Sequence, residues 1–182
     1  DLGYSVDWRL LQASQFGVSQ LRPRVAIVAL PKSAPAFAWP TPSETTPPSV
    51  GDLLGADMAS LGWKGAEAWA KQANRIAPTI VGGSHKHGGP DLGPTRARKA
   101  WAEMNVNGKS IAETPPDPDF VGMPRLTVAM VARLQGFPPD WRFAGRKTPA
   151  YRQVGNAFPP PVAEALGRSI AQTLLAARAF AE

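Results

Sequence analysis

Hydrophobic and polar positions alternate at the start of the chain. Tyr4, Val6 and Trp8 are separated by polar residues, the period-two pattern of a half-buried strand. Residues 25–30, Val-Ala-Ile-Val-Ala-Leu, run unbroken to Pro31 and predict a strand buried on both faces. Residues 31–48 hold six prolines and little periodicity, so they form a linker or crossover. Residues 50–61 are either a short helix or a tether. Residues 66–74 predict a helix with Trp69 inward and Lys71 and Arg75 at the end that favours cations. Residues 78–81 predict a short strand, and residues 95–104 another helix. A further helix starts at Thr127, a suitable cap, carries Met130, Val131 and Leu134 at helical spacing, and stops at Gly136. Residues 152–161 predict a polar turn closed by prolines. Beyond it, Val162, Leu166, Ile170 and Leu174 recur every fourth residue and make one apolar stripe.

Composition narrows the partners. At 182 residues with 43% hydrophobic content, the chain holds one domain, or a small domain plus part of another. The net charge of +6 favours a polyanion. That excess is clustered: residues 64–109 carry eight basic and three acidic side chains, and residues 125–152 six and one. No run reaches the roughly 18 apolar residues of a membrane span, and no signal peptide heads the chain, so an intracellular, cytoplasmic setting is expected. There is no cysteine. Disulfides and cysteine-metal sites are therefore excluded, and so is a thiolate nucleophile.

Three stretches carry candidate chemistry. Gly155 permits a backbone angle or a close approach that a side chain forbids, and Asn156 brings a two-way hydrogen-bonding amide to the same place. Such a turn beside a helix start suits a small ligand. Arg22 and Arg24 project to one side of an extended segment, and Pro23 favours that extension. Spacing alone is met better by solvated charges at a hairpin end. Residues 82–90, Gly-Gly-Ser-His-Lys-His-Gly-Gly-Pro, form a donor-rich loop. His85 and His87 lack the further ligands of a metal site, so no metal is assigned. Gly108-Lys109-Ser110 echoes a phosphate loop, but Glu103 stands where its first glycine belongs. Arg96, Arg98 and Lys99 near a helix start fit either a phosphate or a solvated face.

The segments FGVSQLRPR (16–24), RLQGFPPDW (133–141) and Arg152 with Gly155-Asn156-Ala157, Phe158, Val162 and Leu166 resemble the eighth, ninth and tenth motifs of the DNA (cytosine-5) methyltransferases. Departures are Ser19 where proline is common, and Ala129-Met130 where Arg-Glu is usual, which leaves Thr127 without the glutamate of a capping box. By this resemblance Gln20, Arg22 and Arg24 contact the target nucleotide, with Arg24 beside the flipped cytosine. Gly155, Asn156 and Ala157 help line the S-adenosylmethionine pocket, and Arg125 and Arg133 belong to the supporting ninth motif. The region between motifs eight and nine is then the target recognition region. There Arg75, Thr79, Gly82, Gly83, Ser84, His85, Lys86 and His87 are the candidates for contact with double-stranded DNA.

The resemblance implies an α/β fold: the C-terminal portion of a doubly wound methyltransferase domain plus a small target recognition domain. Residues 1–31 and 123–182 fall to the catalytic domain and 32–122 to the linker and recognition domain. The family's chemistry adds a cysteine thiolate to the flipped base before methyl transfer. With no cysteine and none of the first seven motifs, the chain is expected to be a fragment or a separate subunit whose missing N-terminal portion lies in cis or in a partner. Its cofactor pocket is then incomplete and the chain silent alone. A non-catalytic nucleic-acid-binding subunit of a split enzyme, or a relative acting on RNA, remains the alternative.

Overall fold

The computed structural model describes residues 2–82 and 89–179. Strands β1 (Tyr4–Gln12) and β2 (Pro23–Pro31) form one antiparallel pair, with Tyr4 opposite Pro31 and Gln12 opposite Pro23. A 3-10 turn, Ala13–Phe16, leads into the return, and Gly17 at φ 78° supplies its left-handed residue. Leu11, Ala26, Val28 and Leu30 are buried on one face. There Leu11 and Ala26 meet Val18 and Val162, with half-buried Phe16, Trp39, Phe158 and Leu166 around them. The proline-rich segment is held over the hairpin by Trp39, whose Nε1 donates to the Asp7 carboxylate at 2.6 Å while the Arg9 guanidinium lies 5.4 Å from its ring.

The other hairpin face corrects the reading of β2 as buried on both sides. Val6, Trp8, Leu10, Val25 and Ile27 are between 58% and 70% exposed. Register explains why they coincide: Val6 faces Ala29, Trp8 faces Ile27 and Leu10 faces Val25. The alternation in β1 therefore marks an apolar face that no described part of the chain covers.

Five helices build a second core. They are α1 (Val50–Ala59), α2 (Ala66–Gln72), α3 (Thr95–Ala102), α4 (Val128–Leu134) and α5 (Lys147–Asn156). Leu54, Met58, Trp69, Trp101, Leu126, Met130, Tyr151 and Val154 meet in it. Residues 50–61 are a helix rather than a tether because Ser49 and Asp52 form a reciprocal capping box, with amide bonds of 3.1 and 3.2 Å. The Val50 and Gly51 amides donate to the carbonyls of Arg75 (2.9 Å) and Ala73 (2.7 Å) just past α2. Gly51 is obligatory here, since a Cβ would lie 2.7 Å from the Ala70 carbonyl carbon. At α4, Thr127 Oγ1 accepts from the Met130 amide at 3.2 Å, and the Met130 sulfur accepts from the Thr127 amide at 3.4 Å. The sulfur takes the glutamate's place. Gly136, at φ 82°, ends the helix.

Helix α6 (Pro160–Ala179) returns to the hairpin. Three of the four residues of its expected stripe are inward: Val162 is buried, Leu166 and Ile170 are half-buried, and only Leu174 is exposed, next to buried Thr173. The cores do not follow the three sequence segments, because α4 and α5 share one with α1–α3 and α6 joins the hairpin. The fold is α/β, with a two-stranded sheet. Among the described residues no helix is long and apolar enough to cross a membrane.

Leaving five large apolar side chains uncovered forgoes on the order of 5–10 kcal/mol of burial, which rivals the whole stability of a small domain. The isolated chain is expected to self-associate through this face. Sedimentation should show association that rises with concentration and weakens in Trp8→Ser/Ile27→Thr, with the thermal midpoint preserved. A compact wild-type monomer at high concentration would contradict this.

Candidate functional site

The site assembles where the end of the hairpin connection, the stem of residues 77–82 and the end of α5 converge. Residues 77–82 do not form the expected strand. They make a single parallel bridge, Gln20 with Ala77, through backbone bonds from Leu21 to Ala77 (2.7 Å) and from Ala77 to Ser19 (3.0 Å). Beyond that, side chains replace a neighbouring strand. Gln20 Oε1 accepts from the Ile80 amide at 2.8 Å, Arg22 Nη1 donates to the Ile80 carbonyl, and Thr79 Oγ1 donates to the Leu21 carbonyl.

Arg22 is the centre of the arrangement. Its Nη2 donates to the carbonyls of Gly155 (2.7 Å) and Ala157 (3.0 Å) at the end of α5, where a helix dipole favours a cation. The residue is 1% exposed. Burial pulls its guanidinium down to about 10, and the nearby Arg24 charge acts in the same direction. Gln20 Nε2 donates to Gln135 Oε1 at 2.7 Å, and Gln135 Nε2 donates to the Val154 carbonyl at 2.8 Å. Both glutamines are buried completely. Three polar side chains from two sequence segments thus join the hairpin, the stem and the α4–α5 pair.

This geometry separates the residues grouped by sequence. Gln20 and Arg22 are buried and committed to protein partners, whereas Arg24 is half-buried and, among the described residues, its Nη1 donates only to the neighbouring Pro23 carbonyl, at 2.7 Å. Arg24 is the member of the trio whose guanidinium has capacity for a ligand. Thr79 is half-buried on the stem, and Gly82 is buried at its end. Gly83, Ser84, His85, Lys86 and His87 lie outside the described residues. Arg75 is paired on the surface with Glu103 at 3.0 Å. Arg125 is exposed, and Arg133 binds Asp57, joining α4 to α1. Among the described residues no cluster of His, Asp or Glu could hold a metal.

The segment 152–161 is not a polar turn. Its first half is the last turn of α5, which brings Gly155 and Asn156 into a helix end and leaves the Asn156 amide exposed. Gly155 serves close approach rather than a special backbone angle. A Cβ there would lie 2.5 Å from both Cα and N of Gly82. A signal for α5 was present: Tyr151 and Val154 sit three apart, and Pro149 in a first turn is compatible with a helix. Gln135 was also missed as a site residue, although a glutamine between Leu134 and the Gly136 stop is an amide at the end of an apolar helix face.

The model of the C-5 cytosine-specific DNA methylase family matches residues 1–172. The Type II methyltransferase M.NaeI of Lentzea aerocolonigenes is 59% identical over 178 residues, 96% of this chain and 43% of that protein. The Type II methyltransferase M.NgoMIV of Neisseria gonorrhoeae is 49% identical over 177 residues, 95% and 56% of the two chains. The chain spans about half the length of the curated relatives it matches. The crystal structure of the S. pombe Dnmt2 methyltransferase shares the fold at a TM-score of 0.55 and 17% identity, over 94% of this chain and 58% of that one.

Removing the Arg22 guanidinium strands the carbonyls of buried Ile80 and Gly155 and of half-buried Ala157, and hydrogen bonds to charged groups contribute about 1.5–3 kcal/mol each. Urea unfolding of Arg22→Met should show a loss of roughly 3 kcal/mol or more. Arg24→Met should stay within about 0.5 kcal/mol of wild type, because among the described residues its guanidinium bonds no segment beyond the adjacent Pro23 carbonyl. Equal effects of the two would refute the division.

Proposed function

The chain belongs to the C-5 cytosine-specific DNA methylase family, and from that premise we propose that it is the C-terminal portion of a DNA cytosine-5 methyltransferase. In this reading it supplies target recognition and one wall of the S-adenosylmethionine pocket. The observation that carries the proposal is the Arg22 clamp. One buried guanidinium holds the recognition stem through Ile80 and the end of α5 through Gly155 and Ala157. Recognition and cofactor elements are thereby built as one unit, as a reaction between a chosen base and a bound methyl donor requires.

Roles divide by exposure. Arg24 contacts the target nucleotide, where a cation with spare donors stabilises a phosphate or an extruded base. Gln20 and Arg22 position it by fixing the backbone from which it projects. The stem 79–82 presents the recognition loop, in which Ser84, His85 and Lys86 are the donors for base edges or phosphates of duplex DNA. S-adenosylmethionine, when bound, supplies the methyl group. Asn156 fits that role chemically, since its amide both donates and accepts and stands exposed at the helix end. Gly155 and Ala157 contribute backbone, but their carbonyls already face Arg22, so Asn156 carries the side-chain contact.

The thiolate that this chemistry needs has no source in a cysteine-free chain. The remainder of the enzyme, in the same polypeptide or in a partner, supplies it, extends the hairpin into a doubly wound sheet and covers its exposed face with helices. A solitary methylase and a restriction-modification enzyme would use the same parts.

The pure chain should transfer no tritium from labelled S-adenosylmethionine to DNA, and turnover above buffer would overturn the proposal. In the active enzyme, Arg24→Ala should lower methylation on every substrate alike, while replacement of the 82–89 loop should change preference among flanking sequences. Lost base contacts are expected to cost about 1–3 kcal/mol. Methylation of a randomised duplex library, read by bisulfite sequencing, checks both. An unchanged flank preference would remove recognition from the loop.

A further inference from the structure

Gly82 lies at the end of the recognition stem, where the resemblance places base recognition. Its surroundings point elsewhere. The residue is buried, and its φ is not positive, so its backbone conformation does not require glycine. Space does. A Cβ at residue 82 would lie 2.6 Å from Cγ and 2.7 Å from Nδ2 of Asn156, and would also overlap Oδ1. All three nearest neighbours of that missing methyl group are side-chain atoms of one residue. The contact is reciprocal in kind: a Cβ on Gly155 would press on the backbone of Gly82 and Val81. Two glycines on different elements therefore let the stem and the helix end touch, and the amide of Asn156 lies in the place left by the absent side chain.

We propose that Gly82 is a positioning residue for the cofactor side of the site rather than a reader of DNA. By having no side chain it seats the Asn156 amide, and any larger residue turns that amide away from the cofactor. The stem is thus the second surface that orients Asn156. This inference rests on the reading of Asn156 as a cofactor contact. It assigns to the first residue of the recognition loop a role in methyl-donor affinity, separate from sequence choice.

The test uses the active enzyme containing this chain, with S-adenosylmethionine as the titrant in calorimetry and the randomised duplex library as the readout of flank preference. Gly82→Ala should weaken cofactor binding by roughly tenfold, the scale of one lost hydrogen-bonded contact, and leave flank preference unchanged. Asn156→Ala should weaken it similarly. The double variant should bind no worse than Asn156→Ala alone, because both changes remove the same contact. Should Gly82→Ala fail to fold, the double variant supplies the check. Asn156→Ala deletes the three atoms in conflict, so folding should return. Losses that multiply, an altered flank preference with normal cofactor affinity, or a double variant that stays unfolded would each overturn the positioning role. An Asn156→Ala enzyme with undiminished affinity would instead sink the cofactor-wall reading itself, and this inference with it.

Discussion

A buried arginine has to be surrounded before it can be stable, and that requirement organises this molecule. Placing a guanidinium in a water-poor interior carries a desolvation cost of several kcal/mol unless its donors are satisfied. Arg22 meets the requirement with carbonyls of Ile80, Gly155 and Ala157, and with Gln20 Oε1 at 3.4 Å. Two of those carbonyls belong to the end of α5, which carries partial negative charge of its own. The pattern is not saturated, since Nε of Arg22 is buried without a partner among the described residues. Because the acceptors come from separate stretches of chain, satisfying one side chain fixes their relative placement. Gln20 and Gln135 extend the same constraint to α4.

Local features of the fold were legible in the sequence. The Thr127 cap, the Gly136 stop, the inward Trp69 and the strand pairing all follow from neighbours within one turn or one register. Relations between distant segments were not. Gln20, Arg22 and Arg24 read together as contacts to the target nucleotide, and nothing local says that two of the three are buried. Residues 78–81 have the composition of a strand, yet the amide and carbonyl of Ile80 are taken by a glutamine and an arginine instead. Gly155 and Asn156 look like a turn because glycine and asparagine favour turns. Here the glycine is selected by contact with Gly82, and α5 runs through it. In α4 the missing glutamate concealed a complete cap, since a methionine sulfur can accept the bond.

Alternation in β1 marked one apolar face, but the half-buried strand it predicted is exposed from Tyr4 to Leu10, because alternation cannot say which side of a two-stranded sheet the rest of the chain will cover. In this fold α6 and the proline-rich segment cover the side formed by Leu11, Ala26, Val28 and Leu30, whereas Trp8 and Ile27 face outward. Such a face is an interface for further structure. The chemistry gathered at Arg24, the stem and Asn156 stands beside one finished core and one that needs a second surface.

Gln20, Arg22 and Gln135 act as one network. Gln135 touches Gln20 and the Val154 carbonyl, but it makes no hydrogen bond to Ile80. Amide hydrogen exchange of Gln135→Ala is therefore the direct measurement. The network account predicts that the Ile80 amide loses roughly tenfold protection, the equivalent of one net hydrogen bond of about 1.4 kcal/mol, although its own partner Gln20 is unaltered. Unchanged protection at Ile80, with faster exchange confined to α4 and α5, would contradict it.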